Sequence, residues 1–356
     1  MAFVIGLIWW GARSESNQGD TIKIGAVFSL TGPGATWGEN NLRGAQLAVE
    51  ELNNNCGVLG RQLELVVEDN QTEARDSVSA AQKLVNLNGA QFLLAGWTEH
   101  VLPLVPFINQ EKIVTITVSA GAPDVAKQSS YLFRTWPSDV FPIQNLIVVA
   151  QSNGWRKVAV AQTIGPWEDG LRQAFIKEAE LTGLQVLEAT QSPLGTKDFR
   201  TDIAKLQTAK PDVVYLPVQT SSLSSFVQQS AQLGFRPQFF YAVDLNTQEN
   251  VEGVGDISLL EGFIYPIYAR SDEDFIQAFK DEYGEQPGVA ADTAYDAVYM
   301  LARAIEKAGT TDADVVRSSF QDFDGASGRI AFDSDGDRSS APVILMTVKN
   351  GRFVEL

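Results

Sequence analysis

From residue 22 onward, short apolar runs alternate with stretches whose apolar positions recur every three to four residues. Residues 22–30 (IKIGAVFSL) form a near-continuous apolar run of strand length, expected to be buried on both faces. Residues 42–54 (LRGAQLAVEELNN) place Leu42, Ala45, Val49 and Leu52 on one helical face. Residues 62–69 (QLELVVED) read as the next strand, and 73–86 (EARDSVSAAQKLVN) as a helix closed by Asn88-Gly89. Two more strands, 91–96 (QFLLAG) and 112–120 (KIVTITVSA), flank a further helix. Repeated βαβ units of this kind require a parallel sheet covered by helices on both faces.

The grammar restarts after 134–144 (RTWPSDVFPIQ). A helix at 141–154 leads to strands at 157–163, 184–189, 212–218 and 238–243, separated by helices at 169–183, 198–209 and 222–234. The expected fold class is therefore α/β, with two doubly wound parallel-sheet lobes. Two consecutive helical patterns at 272–284 and 289–309 do not extend the second sheet. The chain is expected to cross back to the first lobe there, and to cross again near 328–333 (GRIAFD) before a terminal hairpin with Asn350-Gly351 at its turn. The expected division is a leader at 1–20, a first lobe of 21–138 plus 268–328, and a second of 139–267 plus 329–356.

Length supports this division, because 356 residues exceed one compact core. Charge excludes a class of partner. With 27 Lys and Arg against 44 Asp and Glu, a net charge of -17 repels nucleic-acid phosphates. The single Cys56 permits no internal disulfide, and one Cys with one His does not make a typical zinc site. The run 333–338 (DSDGDR) departs from a calcium loop, since Gly336 stands fourth and Ile344 twelfth. At the start, MAFVIGLIWWGARS is too short to span a bilayer and resembles the apolar core of an export signal lacking its basic leading segment.

Ligands of open α/β sheets sit beyond the carboxyl ends of the strands, so the loops there carry the candidate chemistry. Loop 29–38 (SLTGPGATWG) lacks both dinucleotide and phosphate-loop fingerprints; it sets Trp37 before a helix, as a pocket wall or as core. The next loop carries Trp97 and Thr98, the latter a candidate helix cap beside free N–H groups, with or without a ligand carboxylate. Glu99 and His100 are expected to be surface residues. Ser119, Ala120 and Gly121 allow close backbone approach and offer one hydroxyl. In the second lobe, Trp167 stands at a helix start, Gln219 and Thr220 follow a strand, and Asp244 leaves another, either to meet an ammonium or to cap the next segment. No nucleophile with its base, paired catalytic carboxylates or metal cluster emerges, so neither catalysis, a metal nor a cofactor is expected.

The segments IKIGAVFSLTGPGATWGENNLRGAQLAVEELN, GVLGRQLELVVEDNQTEARDSVSAAQKLV, AYDAVYMLARAIEKAG and GRIAFDSDGD resemble, in order, the periplasmic leucine/isoleucine/valine-binding protein family. The resemblance runs from about Ile22 to the C-terminus. It implies a type I periplasmic binding fold with a three-strand hinge, and capture of a branched-chain or other amino acid for an ABC-transporter permease. It implies a monomer in the periplasm or on the extracytoplasmic face, with tethering left open. It also implies that Thr98 receives the ligand carboxylate, and that Ser119 and Ala120 match the gripping loop while Gly121 replaces a Thr. Asp244 matches the acid for the ammonium, Trp37 and Trp167 match aromatic contacts, and Gln219 or Thr220 replaces a Tyr. Relatives of the fold that bind amides, urea or aromatic acids, or that sense ligands for a signalling partner, remain alternatives.

Overall fold

The computed structural model describes residues 21–268 and 271–356. The leader expected at 1–20 lies outside the described residues.

The first lobe builds β1 (Ile22–Phe28), α1 (Ala35–Asn54), β2 (Leu63–Asp69), α2 (Ala74–Asn86) and β3 (Phe92–Ala95). It continues through the short α3 (Thr98–Val101), α4 (Val105–Glu111), β4 (Thr115–Thr117) and β5 (Leu132–Arg134). Its sheet is parallel throughout, in the order β2-β1-β3-β4-β5. Helix α1 begins seven residues before the expected Leu42, so Trp37 lies in its first turn rather than in the loop ahead of it. The three-residue β5 has no periodicity long enough to announce it.

The second lobe follows with α5 (Val140–Ser152), β6 (Lys157–Thr163), α6 (Pro166–Leu181), β7 (Gln185–Ser192), α7 (Arg200–Ala209) and β8 (Val213–Leu216). Then come α8 (Thr220–Gln232), β9 (Gln238–Tyr241), α9 (Gln248–Val254) and β10 (Ile264–Tyr268). Alternate residues of its strands feed two cores. Ala159, Ala161, Val214 and Leu216 pack with Phe226 on one face, while Val158, Val160, Val213 and Tyr215 pack with Phe175 and Ile147 on the other. A sheet buried on both faces must be apolar at both parities, which is why these runs read as continuous.

The chain then returns. Helices α10 (Glu273–Tyr283) and α11 (Ala291–Ala308) pack on α1, and α11 is followed by α12 (Ala313–Arg317) and the hairpin β11 (Phe323–Gly325) and β12 (Gly328–Ile330). Finally β13 (Val343–Lys349) joins β10 antiparallel, and β14 (Arg352–Glu355) completes the order β14-β13-β10-β9-β8-β6-β7. Asn350 and Gly351, with φ of 54° and 68°, make the tight turn expected between them.

The last crossing falls later than residue 329. Phe332 packs edge-on to Phe133 and Phe320, and Arg338 donates to the carbonyls of Thr135 and Ser327, so residues 329–338 stay with the first lobe. The aspartate-rich turn has a structural task there. Asp337 accepts from Nε and Nη2 of the fully buried Arg134, with Nη2 to Oδ2 at 2.6 Å, while Arg134 Nη1 donates to the carbonyls of Ala120 and Ala122. Two of the crossings are thereby tied to the loop after β4.

Candidate functional site

The carboxyl ends of β1, β3 and β4 bring their loops together on the first lobe. Ser119 is buried; its Oγ donates to Asn41 Oδ1 at 3.1 Å and accepts the Trp97 N–H at 3.2 Å. That bond holds Trp97 at a φ of 57°, a left-handed value that costs on the order of 1–3 kcal/mol and concentrates at functional loops. Thr98 is the first helical residue of α3, and Trp97, not Thr98, occupies the capping position. The Thr98 hydroxyl instead accepts the Ala122 N–H at 3.2 Å.

Aromatic side chains line this side in a connected row. Trp37 meets Trp97 edge-on with ring centres 6.0 Å apart, and Trp136 at 5.9 Å. Trp136 in turn stands at 86° to Tyr268, 5.3 Å away. His100 stacks on Trp97 at 5.6 Å. The surface position expected for His100 is wrong: it is 3% exposed, touches Ser29 Oγ through Nδ1, and burial lowers its pKa.

The second lobe reaches across through Trp167 at the start of α6. Its indole N–H donates to Asp139 Oδ2 at 2.8 Å, and its backbone N–H to Glu99 Oε1 at 3.2 Å. Asp139 also accepts from the Tyr268 hydroxyl at 2.8 Å, and burial raises its carboxyl. Gly121 is required beneath it, since a Cβ there would stand 2.0 Å from Asp139 Oδ2. The space above Gly121 is thus filled by a carboxylate from the neighbouring crossing.

Glu168 sits behind Trp167, 1% exposed. Its Oε1 accepts from Thr163 Oγ1 at 3.0 Å and from Gln219 Nε2 at 2.9 Å, so Gln219 is drawn to α6. Glu99, expected at the surface, is half-buried; burial raises its carboxyl to about 7, and the charge of Glu168 pushes the same way. Burial raises Glu168 likewise. Thr220 opens α8 beside the Tyr241 hydroxyl. Asp244 is half-buried after β9, where Oδ1 accepts the Asn246 N–H at 2.8 Å and its carbonyl accepts from Asn250. Burial raises its pKa too.

The structure therefore gathers Trp37, Trp97, Thr98, Ser119, Ala120, Gly121 and Trp167 around one interlobe seam and ties Gln219 to it through Glu168. The recorded bonds of Asp244 close its own loop. Trp136, Asp139, Tyr268 and Glu168 were not anticipated; the first two stand in the crossing RTWPSD, whose polar and Pro content hid its position between lobes. A separate basin of about 440 Å³, bordered by Lys127, Arg317 and Asp335, contains none of these residues. Among the described residues no cluster could hold a metal ion, and no helix is long and apolar enough to cross a membrane.

Residues 21–352 match the sequence profile of periplasmic binding proteins. The chain belongs to the periplasmic binding protein family. Among its relatives, the leucine-, isoleucine-, valine-, threonine- and alanine-binding protein of Pseudomonas aeruginosa is 29% identical over 338 residues, covering 92% of this chain and 90% of the relative. The solved leucine-binding protein LivK of Thermotoga maritima superposes with a TM-score of 0.83 at 26% identity, over 94% of this chain and 98% of that one. A solute-binding protein of R. palustris in complex with benzoate shares the fold at 19% identity, with a TM-score of 0.77 over 94% and 95% of the two chains. The type I binding-protein fold follows, and the family is one of solute-binding proteins, not enzymes.

Proposed function

We propose that this family member captures an amino acid with an apolar or aromatic side chain in the interlobe seam and delivers it, as a monomer outside the cytoplasm, to an ABC-transporter permease. The observation that carries this reading is Trp167, which bridges from the second lobe to Glu99 on the first and to Asp139 at the crossing. A solute held between the lobes stabilises that closed arrangement, and hinge closure converts occupancy into a shape the permease can read.

The ten loop residues singled out in the sequence supply the walls. Thr98, Ser119 and the backbone of Ala120 and Gly121 face the solute from one lobe; Trp167, Gln219, Thr220 and Asp244 face it from the other. The row Trp37, Trp97, Trp136 and Tyr268 favours larger apolar side chains than a small pocket would admit. The leucine-binding relative in Thermotoga supports an amino acid, and the benzoate-bound relative keeps aromatic acids as the second reading.

Titration calorimetry against leucine, isoleucine, valine, phenylalanine, tryptophan, urea and benzoate tests it. Micromolar binding, about -8 kcal/mol, is expected for the apolar amino acids. Heats indistinguishable from dilution with every solute would refute the reading.

A further inference from the structure

Two carboxylates meet at the seam without a cation. Glu99 on the first lobe accepts the backbone N–H of Trp167, and Glu168 is the next residue on the second lobe. No ion pair among the described residues includes either one. Of the two cations on the same helix, Arg172 lies 4.0 Å from Asp169 instead, and Lys177 is exposed. The buried Arg134 is committed to Asp337 and two carbonyls.

Glu168 is incompletely satisfied. Its Oε1 holds two donors, but Oε2 is buried with no hydrogen-bond partner. Room for that oxygen exists because residue 165 is glycine; a Cβ there would lie 2.3 Å from it. A buried carboxylate oxygen left without a donor is costly, and a second carboxylate nearby increases the cost. Both are relieved if the missing donor arrives with the ligand as a positively charged N–H group, made stronger by the dry surroundings. The electron-rich faces of the aromatic row favour the same charge.

We infer that Glu168, opposed by Glu99, receives the ammonium of the bound solute, so that this receptor selects amine-bearing solutes and rejects aromatic carboxylates that lack an amine. The inference rests on the receptor reading above, and moves the charge-reading role from Asp244 to the start of α6. It also accounts for the two acids, Glu168 and Asp169, in the first turn of α6. Their charge opposes a ligand carboxylate at that helix end, so a carboxylate must be met from the other lobe.

The test is calorimetry with four probes: leucine, 3-methylbutylamine, 4-methylpentanoate and benzoate. Leucine and the amine are expected to bind, and the two amine-free acids to bind at least about 100-fold more weakly. Glu168→Gln keeps the shape and both Oε1 contacts but removes the charge. It is expected to weaken leucine about 30-fold or more, with an unchanged or raised melting temperature for the free protein. Glu99→Gln, on the opposite lobe, is expected to weaken leucine in the same direction and serves if the first variant folds poorly. Benzoate or 4-methylpentanoate binding as tightly as leucine, unaffected by Glu168→Gln, would overturn the inference alone. So would loss of leucine binding in Asp244→Asn with none in Glu168→Gln or Glu99→Gln. Failure of the unaltered protein to bind any of the wider solute panel would overturn the receptor reading and the inference together.

Discussion

At the scale of single residues, the seam is governed by carboxylates out of water. Gly121 shows how tightly one of them is placed. In Gly121→Ala the new methyl meets Asp139 Oδ2, whose position is held by Trp167 and Tyr268. Overpacking of this kind costs about 1–3 kcal/mol, and urea unfolding of the free protein should show a loss in that range. Glu99 supplies a pH signature. Its carboxyl titrates near 7 in the folded protein and near 4.5 in a peptide, so the folded state retains a proton that the unfolded chain releases. Its stabilising contribution is complete below about 4.5 and is lost as pH rises through 7. The melting temperature of the ligand-free protein should therefore fall across that interval, and Glu99→Gln should flatten part of the slope. Asp296, also raised to about 7 by burial, carries a further part. An unchanged slope in the variant would contradict the assignment.

At the scale of elements, the loop after β4 depends on a residue from the neighbouring strand β5 and a turn two hundred residues away. Arg134 is fully buried, gripped by Asp337, and holds the carbonyls of Ala120 and Ala122. Removing one partner of a buried pair leaves the other charge uncompensated and costs about 3–5 kcal/mol. Arg134→Ala should lower stability by that amount in urea unfolding and weaken solute binding besides, while Arg329→Ala, whose partners are exposed, should change stability by less than about 1 kcal/mol. Equal losses from both would show that the buried clamp is not what holds the loop. Strands and long helices were legible here because burial on two faces or one imposes a period on the sequence. The three-residue β5 and the four-residue α3 were not, since neither spans enough chain to display one.

At the scale of the whole molecule, Trp167 joins the two lobes. This one residue makes two bonds there, its backbone N–H to Glu99 and its indole N–H to Asp139. Trp167→Ala removes the indole bond to Asp139 and the aromatic wall, and solute affinity is expected to fall at least about tenfold, since a charge-assisted bond is worth about 1.5–3 kcal/mol. X-ray scattering separates closure from contact. The free variant keeps the backbone bond to Glu99 but loses the ring that packs against the apolar cores of both lobes, so it should have a larger radius of gyration than the free unaltered protein, whereas identical radii would mean that the lobes are held together by other contacts.

The alternating α/β order, the two lobes and the return of the chain after β10 are consequences of local pattern, so the sequence by itself determined them. It also singled out most of the residues on the first-lobe side of the seam, because loops after parallel strands must converge at one edge. It did not reveal that His100 is buried, that Trp37 lies inside α1, or that residues 329–338 remain on the first lobe. Nor did it reveal that Asp139, Tyr268 and Glu168 join the site. Those are decided by contacts between positions far apart in the chain, such as Asp139 filling the place of the absent Gly121 side chain. Periodicity records which face of an element is buried. Only the packed tertiary structure decides what each buried face is buried against, and there the energies of unpaired charges are set.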